Sequence, residues 1–181
     1  MNGQAGCLQA LLDAGANPHA KDSAGKTALH GAAGSESTAC TAALLAAGAR
    51  GSQDNWARVS PAHLAARSDR APNLRLLLAA EPAAALCKDS RGCIPLQHAL
   101  RSGRVDAARC LLELTPTQPA RVLLADIEYH RLHSRRARGR SRRDLYALVA
   151  AHQPLTPAQW ARIPTPVSYT HLAGDSQMTL P

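Results

Sequence analysis

Through residue 116 the chain alternates short blocks of Leu and Ala with polar turns built from Gly, Ser and Asp. The apolar positions recur at helical spacing, which predicts short packed helices. Three blocks align residue for residue: Thr27-Ala28-Leu29-His30-Gly31-Ala32-Ala33, Ser60-Pro61-Ala62-His63-Leu64-Ala65-Ala66 and Ile94-Pro95-Leu96-Gln97-His98-Ala99-Leu100. Their starts lie 33 and 34 positions apart, and 17 residues after each start stands a Leu pair, Leu44-Leu45, Leu77-Leu78 and Leu111-Leu112. A further pair, Leu11-Leu12, precedes Leu44 by 33 residues. Two of the blocks follow a D-x-x-G turn, Asp22-Ser23-Ala24-Gly25 and Asp89-Ser90-Arg91-Gly92.

Each block has the punctuation of a helix start. Thr27 and Ser60 suit an N-cap, where a hydroxyl meets the unpaired amides of the first turn. Pro61 and Pro95 suit the first helical position, which needs no N–H donor. Gly15 and Gly48 follow the Leu pairs, where a left-handed residue closes a helix. The unit is therefore helix, turn, helix and extended loop.

A period of about 33 residues with a T-P-L-H-x-A-like block resembles the ankyrin repeat family. The resemblance implies an all-α ankyrin-repeat solenoid with a short C-terminal helical cap. On this reading residues 1–116 form the stack, with a partial repeat at 1–21 and repeats at 22–54, 55–88 and 89–116. The partial repeat holds a second helix only, so the sequence is expected to be a piece cut from a longer protein. The resemblance also makes His30 and His63 structural, bonded within their own turn and to the adjacent loop. Arg58 stands where the family places a loop Gly, and Glu81 and Thr115 stand where it closes the second helix with Gly, so these loops are expected to be distorted. His98 lies one place past the motif position, which Gln97 holds.

Residues 117–166 lose the repeat. Helices are expected from about Pro119, over Leu145, Leu148 and Val149, and from Thr156-Pro157-Ala158-Gln159, capping the open end of the stack. Between the first two lies a basic loop, 135–143, with Arg135, Arg136, Arg138, Arg140, Arg142 and Arg143 and no acid. Val167-Ser168-Tyr169-Thr170-His171-Leu172 is similar to a translated sequencing adapter, so residues 167–181 are read as a non-native tail and set aside.

Composition sharpens this picture. Among 181 residues there are 37 Ala and no Phe, so the core must close through small side chains and thin layers. The net charge of +8 divides into +3 over residues 1–116 and +5 over the rest, so basicity belongs mainly to the C-terminal part. Five cysteines, never spaced C-x-x-C, fit reduced thiols. No P-loop, G-x-S-x-G or H-E-x-x-H motif is present, and His130, His133 and Glu128 lack a third strong ligand, so the expectation is a non-enzyme without metal or cofactor. No apolar run reaches membrane-spanning length.

The expected function is protein–protein interaction, as scaffold or adaptor, through loop tips and the concave first-helix surface. Trp56 and Arg58 at a loop, and Arg67 and Arg101 at one repeat position, are the candidate partner contacts. Arg75 and Arg109 share a second position that reads as a solvated face. Two alternatives stand beside this reading. One is the substrate-recognition subunit of a ubiquitin ligase, although residues 144–166 lack the Leu-Cys signature of a ligase-recruiting box. The other is a nuclear regulator whose Arg run engages an import receptor. Nucleic acid is disfavoured, because no aromatic interleaves the arginines to stack a base. The expected location is cytoplasmic, nuclear or both.

Overall fold

The computed structural model describes residues 3–51, 55, 57–114, 144–145, 147–149 and 151. Seven α-helices occupy the continuous part: α1 Gly3–Asp13, α2 Ala28–Gly34, α3 Thr38–Ala46, α4 Pro61–Arg67, α5 Ala71–Ala80, α6 Pro95–Arg101 and α7 Val105–Leu114. A 3-10 turn, Pro82–Ala85, follows α5. Helices α2, α4 and α6 pack in one layer and α1, α3, α5 and α7 in a second. The two layers are the first and second helices of successive repeats. No named strand occurs among the described residues; one isolated antiparallel bridge, Lys21 to Thr27, closes the first loop.

The core follows from the repeat. Leu29, Ala33, Ala65, Ala66, Leu96, Ala99 and Leu100 are inaccessible to solvent, as are Leu74, Leu111 and Cys110. Alanines at the first-helix interface let neighbouring backbones approach, so leucines from the second layer fill the space that aromatic rings occupy in other cores. Leu145 and Val149 are fully buried in the same cluster, and Leu148 packs partly against it.

Helix ends are fixed locally. Thr27 (φ −95°, ψ 168°) and Ser60 (φ −81°, ψ 163°) hold the extended N-cap conformation, and Pro61 and Pro95 open their helices. Gly15 and Gly48 adopt φ +84° and +83°. In each case the two following amides turn back to the last helical turn, as in Gly48 N–H to the Leu45 carbonyl and Ala49 N–H to the Leu44 carbonyl at 3.0 and 2.9 Å.

The expected distortion at Arg58 is not found. Arg58 adopts φ +49°, in the same left-handed region as its repeat equivalents Gly25 (+75°) and Gly92 (+76°). Its N–H closes the turn on the Asn55 carbonyl at 2.8 Å, matching Gly25 on Asp22 at 2.9 Å and Gly92 on Asp89 at 3.0 Å. The turn geometry is imposed by the repeat, and the side chain bears its steric cost. Glu81 does depart: it is extended (φ −144°) and leads into the 3-10 turn instead of a left-handed closure. Thr115 lies outside the described residues.

Two polar side chains lock one repeat to another. Asn73, 1% exposed, donates Nδ2–H groups toward the carbonyls of Ala32, Ala33 and Ser35 at 3.2, 3.3 and 2.8 Å, at the C-terminal end of α2. Asp69, itself left-handed (φ +58°), accepts the Ala107 N–H of α7 at 3.0 Å.

Candidate functional site

The candidate functional surface is the row of loops and the exposed face of α2, α4 and α6. Its foundation is a histidine relay. The Ser60 N–H donates to His63 Nδ1 at 3.1 Å, with the Ser60 hydroxyl 2.8 Å from the same nitrogen. An Nδ1 that accepts an amide leaves the proton on Nε2, which donates to the Cys93 carbonyl of the next loop at 3.0 Å. His30 repeats the arrangement: Thr27 N–H to Nδ1 at 3.1 Å, and Nε2 3.0 Å from the Val59 carbonyl. Burial pushes the His63 pKa down, outweighing the raising influence of the Cys93 bond, so the ring is held neutral. At Gln97 an amide oxygen replaces the imidazole and accepts the Ile94 N–H at 3.0 Å.

Each loop is shaped by one Asx side chain. Asp22 Oδ1 accepts the Ala24 and Lys26 amides at 2.9 and 2.8 Å, and Asp89 Oδ1 accepts those of Arg91 and Cys93, both at 2.8 Å. Asn55 does the same work in the middle loop, accepting the Val59 N–H at 2.9 Å and donating to the Val59 carbonyl. Adjacent loops touch through Ser90 N–H and the Ala57 carbonyl at 2.9 Å.

On the first-helix face, equivalent positions in the three repeats carry Gly31, Leu64 and His98, and one turn on Gly34, Arg67 and Arg101. The face therefore changes from bare backbone at α2 to an apolar and basic pair at α4. A methyl group on Gly31 would meet nothing within 4 Å, so the shelf over α2 is open space.

The structure does not make Arg67 and Arg101 a matched stripe. Arg67 is exposed at the end of α4, and its carbonyl accepts Arg104 Nε–H at 3.1 Å. Arg101 is half-buried, folded back so that Nη1–H reaches Cys93 Sγ at 2.9 Å. The thiol eight residues upstream diverts it, and Val59 at the corresponding position offers Arg67 no such acceptor. Arg58 is exposed on its left-handed turn. In the other layer Arg75 pairs with Glu113 at 3.2 Å, and Arg109 is exposed. Trp56 and the run Arg135, Arg136, Arg138, Arg140, Arg142 and Arg143 lie outside the described residues.

A further cluster was not legible as a unit. His98 Nε2 lies 2.8 Å from Asp89 Oδ2, with the Asp89 and His98 side chains 3% and 20% exposed. Burial alone would raise the Asp89 carboxyl, but bonds from His98 and from the Cys93 and Arg91 amides hold it below the ordinary range. The His98 ring stands edge-on to His63, centroids 5.2 Å apart. The sequence signal was a histidine displaced by one residue, which turns it from the motif turn toward Asp89.

A cleft of about 200 Å³ lies between Arg50 and Glu81 and is also lined by Leu45, Ala49, Gly51, Pro61 and Leu77. No helix among the described residues is long and apolar enough to cross a membrane.

No curated protein matches the chain. Residues 1–84 match the family model for ankyrin repeats, in three copies, and this part of the chain is an ankyrin-repeat stack.

Proposed function

We propose that this chain, whose ankyrin repeats are generic protein–protein interaction modules, binds a segment of another protein along the first-helix face and the loop tips, as a non-enzymatic scaffold or adaptor. The observation that carries the proposal is the graded face: open backbone at Gly31 beside half-buried Leu64 and exposed Arg67. Such a surface suits a partner segment with an apolar side chain for Leu64, a close-lying backbone over α2 and a carboxylate for Arg67. Arg58 adds a second cation at a tip, in a conformation that costs it about 1–2 kcal/mol. Strain kept where the sister loops use Gly is the pattern of a residue retained for contact.

The test is capture of partners by the chain, followed by substitution on each face. Arg67→Glu and Gly31→Leu should remove the captured partner, while Arg109→Glu in the other layer should leave it. A partner retained by both first-helix variants and lost with Arg109→Glu refutes the proposed face.

A second reading concerns location. Six arginines among residues 135–143, with no acid, favour recognition by an import receptor. Replacing all six with Gln should abolish nuclear accumulation of a tagged chain, and an unchanged distribution refutes it.

A further inference from the structure

Among the described residues one group brings together three side chains able to ligate a metal: Asp89, Cys93 and His98, whose ligand atoms all lie within 4.8 Å of one another. We propose that the third repeat holds a zinc-class divalent ion between Asp89 Oδ2, Cys93 Sγ and His98 Nε2, with the fourth position open to water.

The repeat turn requires neither the thiol nor the imidazole. The loop turn is made by Asp89 Oδ1 on two amides, while Oδ2 meets His98 Nε2. The equivalent first loop makes the same turn with Lys26 and Gly31 at the positions of Cys93 and His98, and the middle loop has Asn55, Val59 and Leu64. Neither offers a thiol and an imidazole, so Cys93 and His98 answer no demand of the repeat turn.

The chemistry of the set is that of zinc: one thiolate, one imidazole and one carboxylate, at bond lengths of about 2.0–2.3 Å. Ligand atoms on such a tetrahedron stand about 3.5 Å apart, so the present cluster needs a side-chain adjustment and no change of backbone. The ion takes the place of the proton now shared by His98 and Asp89, with His98 then carrying its proton on Nδ1. The Cys93 thiol proton goes to solvent, one for each ion bound. Arg101 is already placed to donate to the sulfur, at 2.9 Å, and continues to do so once it is a thiolate. The His63 ring packs perpendicular to His98 at a centroid distance of 5.2 Å. His98, at 20% exposure, gives the ion a way in, whereas Asp89 closes the inner side.

Cobalt(II) is the probe, because a thiolate ligand gives it a near-ultraviolet charge-transfer band. The reduced, metal-free chain should develop that band to one-to-one saturation, and zinc should bleach it. Cys93→Ser should erase the band, and His98→Ala and Asp89→Asn should each weaken binding more than about tenfold. Asp89→Asn is expected to fold, since Asn55 already shapes the middle loop. Cys7→Ser and Cys87→Ser should change nothing, and circular dichroism checks each variant for folding. An indicator dye should record one proton released per zinc by the unaltered chain. Absence of the band, its survival in Cys93→Ser, or its loss in Cys87→Ser overturns the proposal.

Discussion

Removing the His63 ring tests the inter-repeat relay directly. The ring is 1% exposed, takes the Ser60 N–H on Nδ1 and reaches the Cys93 carbonyl with Nε2. His63→Ala strands that donor and that acceptor, each at about 1–3 kcal/mol when buried, so a loss of about 2–6 kcal/mol is expected. That is a large part of the roughly 5–15 kcal/mol that holds a domain folded. His63→Gln should cost less, about 1–2 kcal/mol, because Gln97 shows that an amide oxygen at this register still accepts the N-cap amide. Urea unfolding followed by circular dichroism measures both. The acid side gives a second reading. The folded pKa of His63 lies below its unfolded value near 6.5, so the unfolded chain takes up the proton first. The contribution of His63 is therefore complete above about pH 6.5 and is lost as pH falls through the folded pKa. His63→Gln should flatten that decline, leaving other groups to set what remains. A His63→Ala chain within about 0.5 kcal/mol of the original, or an unaltered pH slope in His63→Gln, refutes the reasoning.

Three further substitutions read other parts of the design. Arg58→Gly should raise stability by about 0.5–1 kcal/mol, since relief of the left-handed conformation exceeds the entropy that Gly adds to the unfolded chain; an unchanged urea midpoint refutes this, and Arg58→Ala should be neutral. Gly31→Ala should also stabilise, by about 0.5–1 kcal/mol, because the site is helical and its added methyl meets nothing within 4 Å. Asn73→Ala should destabilise by about 1–3 kcal/mol in the same assay, having withdrawn the donor shared by Ala32, Ala33 and Ser35. No change there would mean that water satisfies those carbonyls.

What the sequence made legible was the part written in local chemistry. Thr27, Ser60, Pro61 and Pro95 announce helix starts, Gly15 and Gly48 announce ends, and the Leu pairs mark the second layer, because each acts within a few residues of itself. Arg58 misled for the same reason. A residue's own preference opposes φ +49°, yet a turn anchored by Asn55 and packed against neighbouring loops overrides it. Asn73 and Asp69 were invisible, since their partners lie 38 to 41 residues away and no periodic signal marks a single polar lock. The Asp89, Cys93 and His98 cluster was hidden differently: each residue looked like a small departure from the repeat, and only the fold shows that the departures meet.

That separation between stacking and surface also decides how substitutions on the two arginines are to be read. Leu29, Ala65, Ala66 and Leu96 carry the packing of the first helices, and Gly31, Leu64 and Arg67 face away from it. A surface so decoupled can be rewritten at little cost to the fold, which is why ankyrin stacks of one architecture hold different ligands. Arg67→Glu is therefore a measurement of binding, with a stability change expected within about 0.5 kcal/mol. Arg101 is not equivalent, because its guanidinium is engaged with the Cys93 sulfur. Arg101→Glu would place a carboxylate near that sulfur and near Asp89, disturbing the loop as well as the face. Lost partner capture in Arg101→Glu counts as evidence for contact only if urea unfolding is unchanged. Where unfolding shifts as well, the loss belongs to the third loop, and Arg67 alone carries the test of the interface.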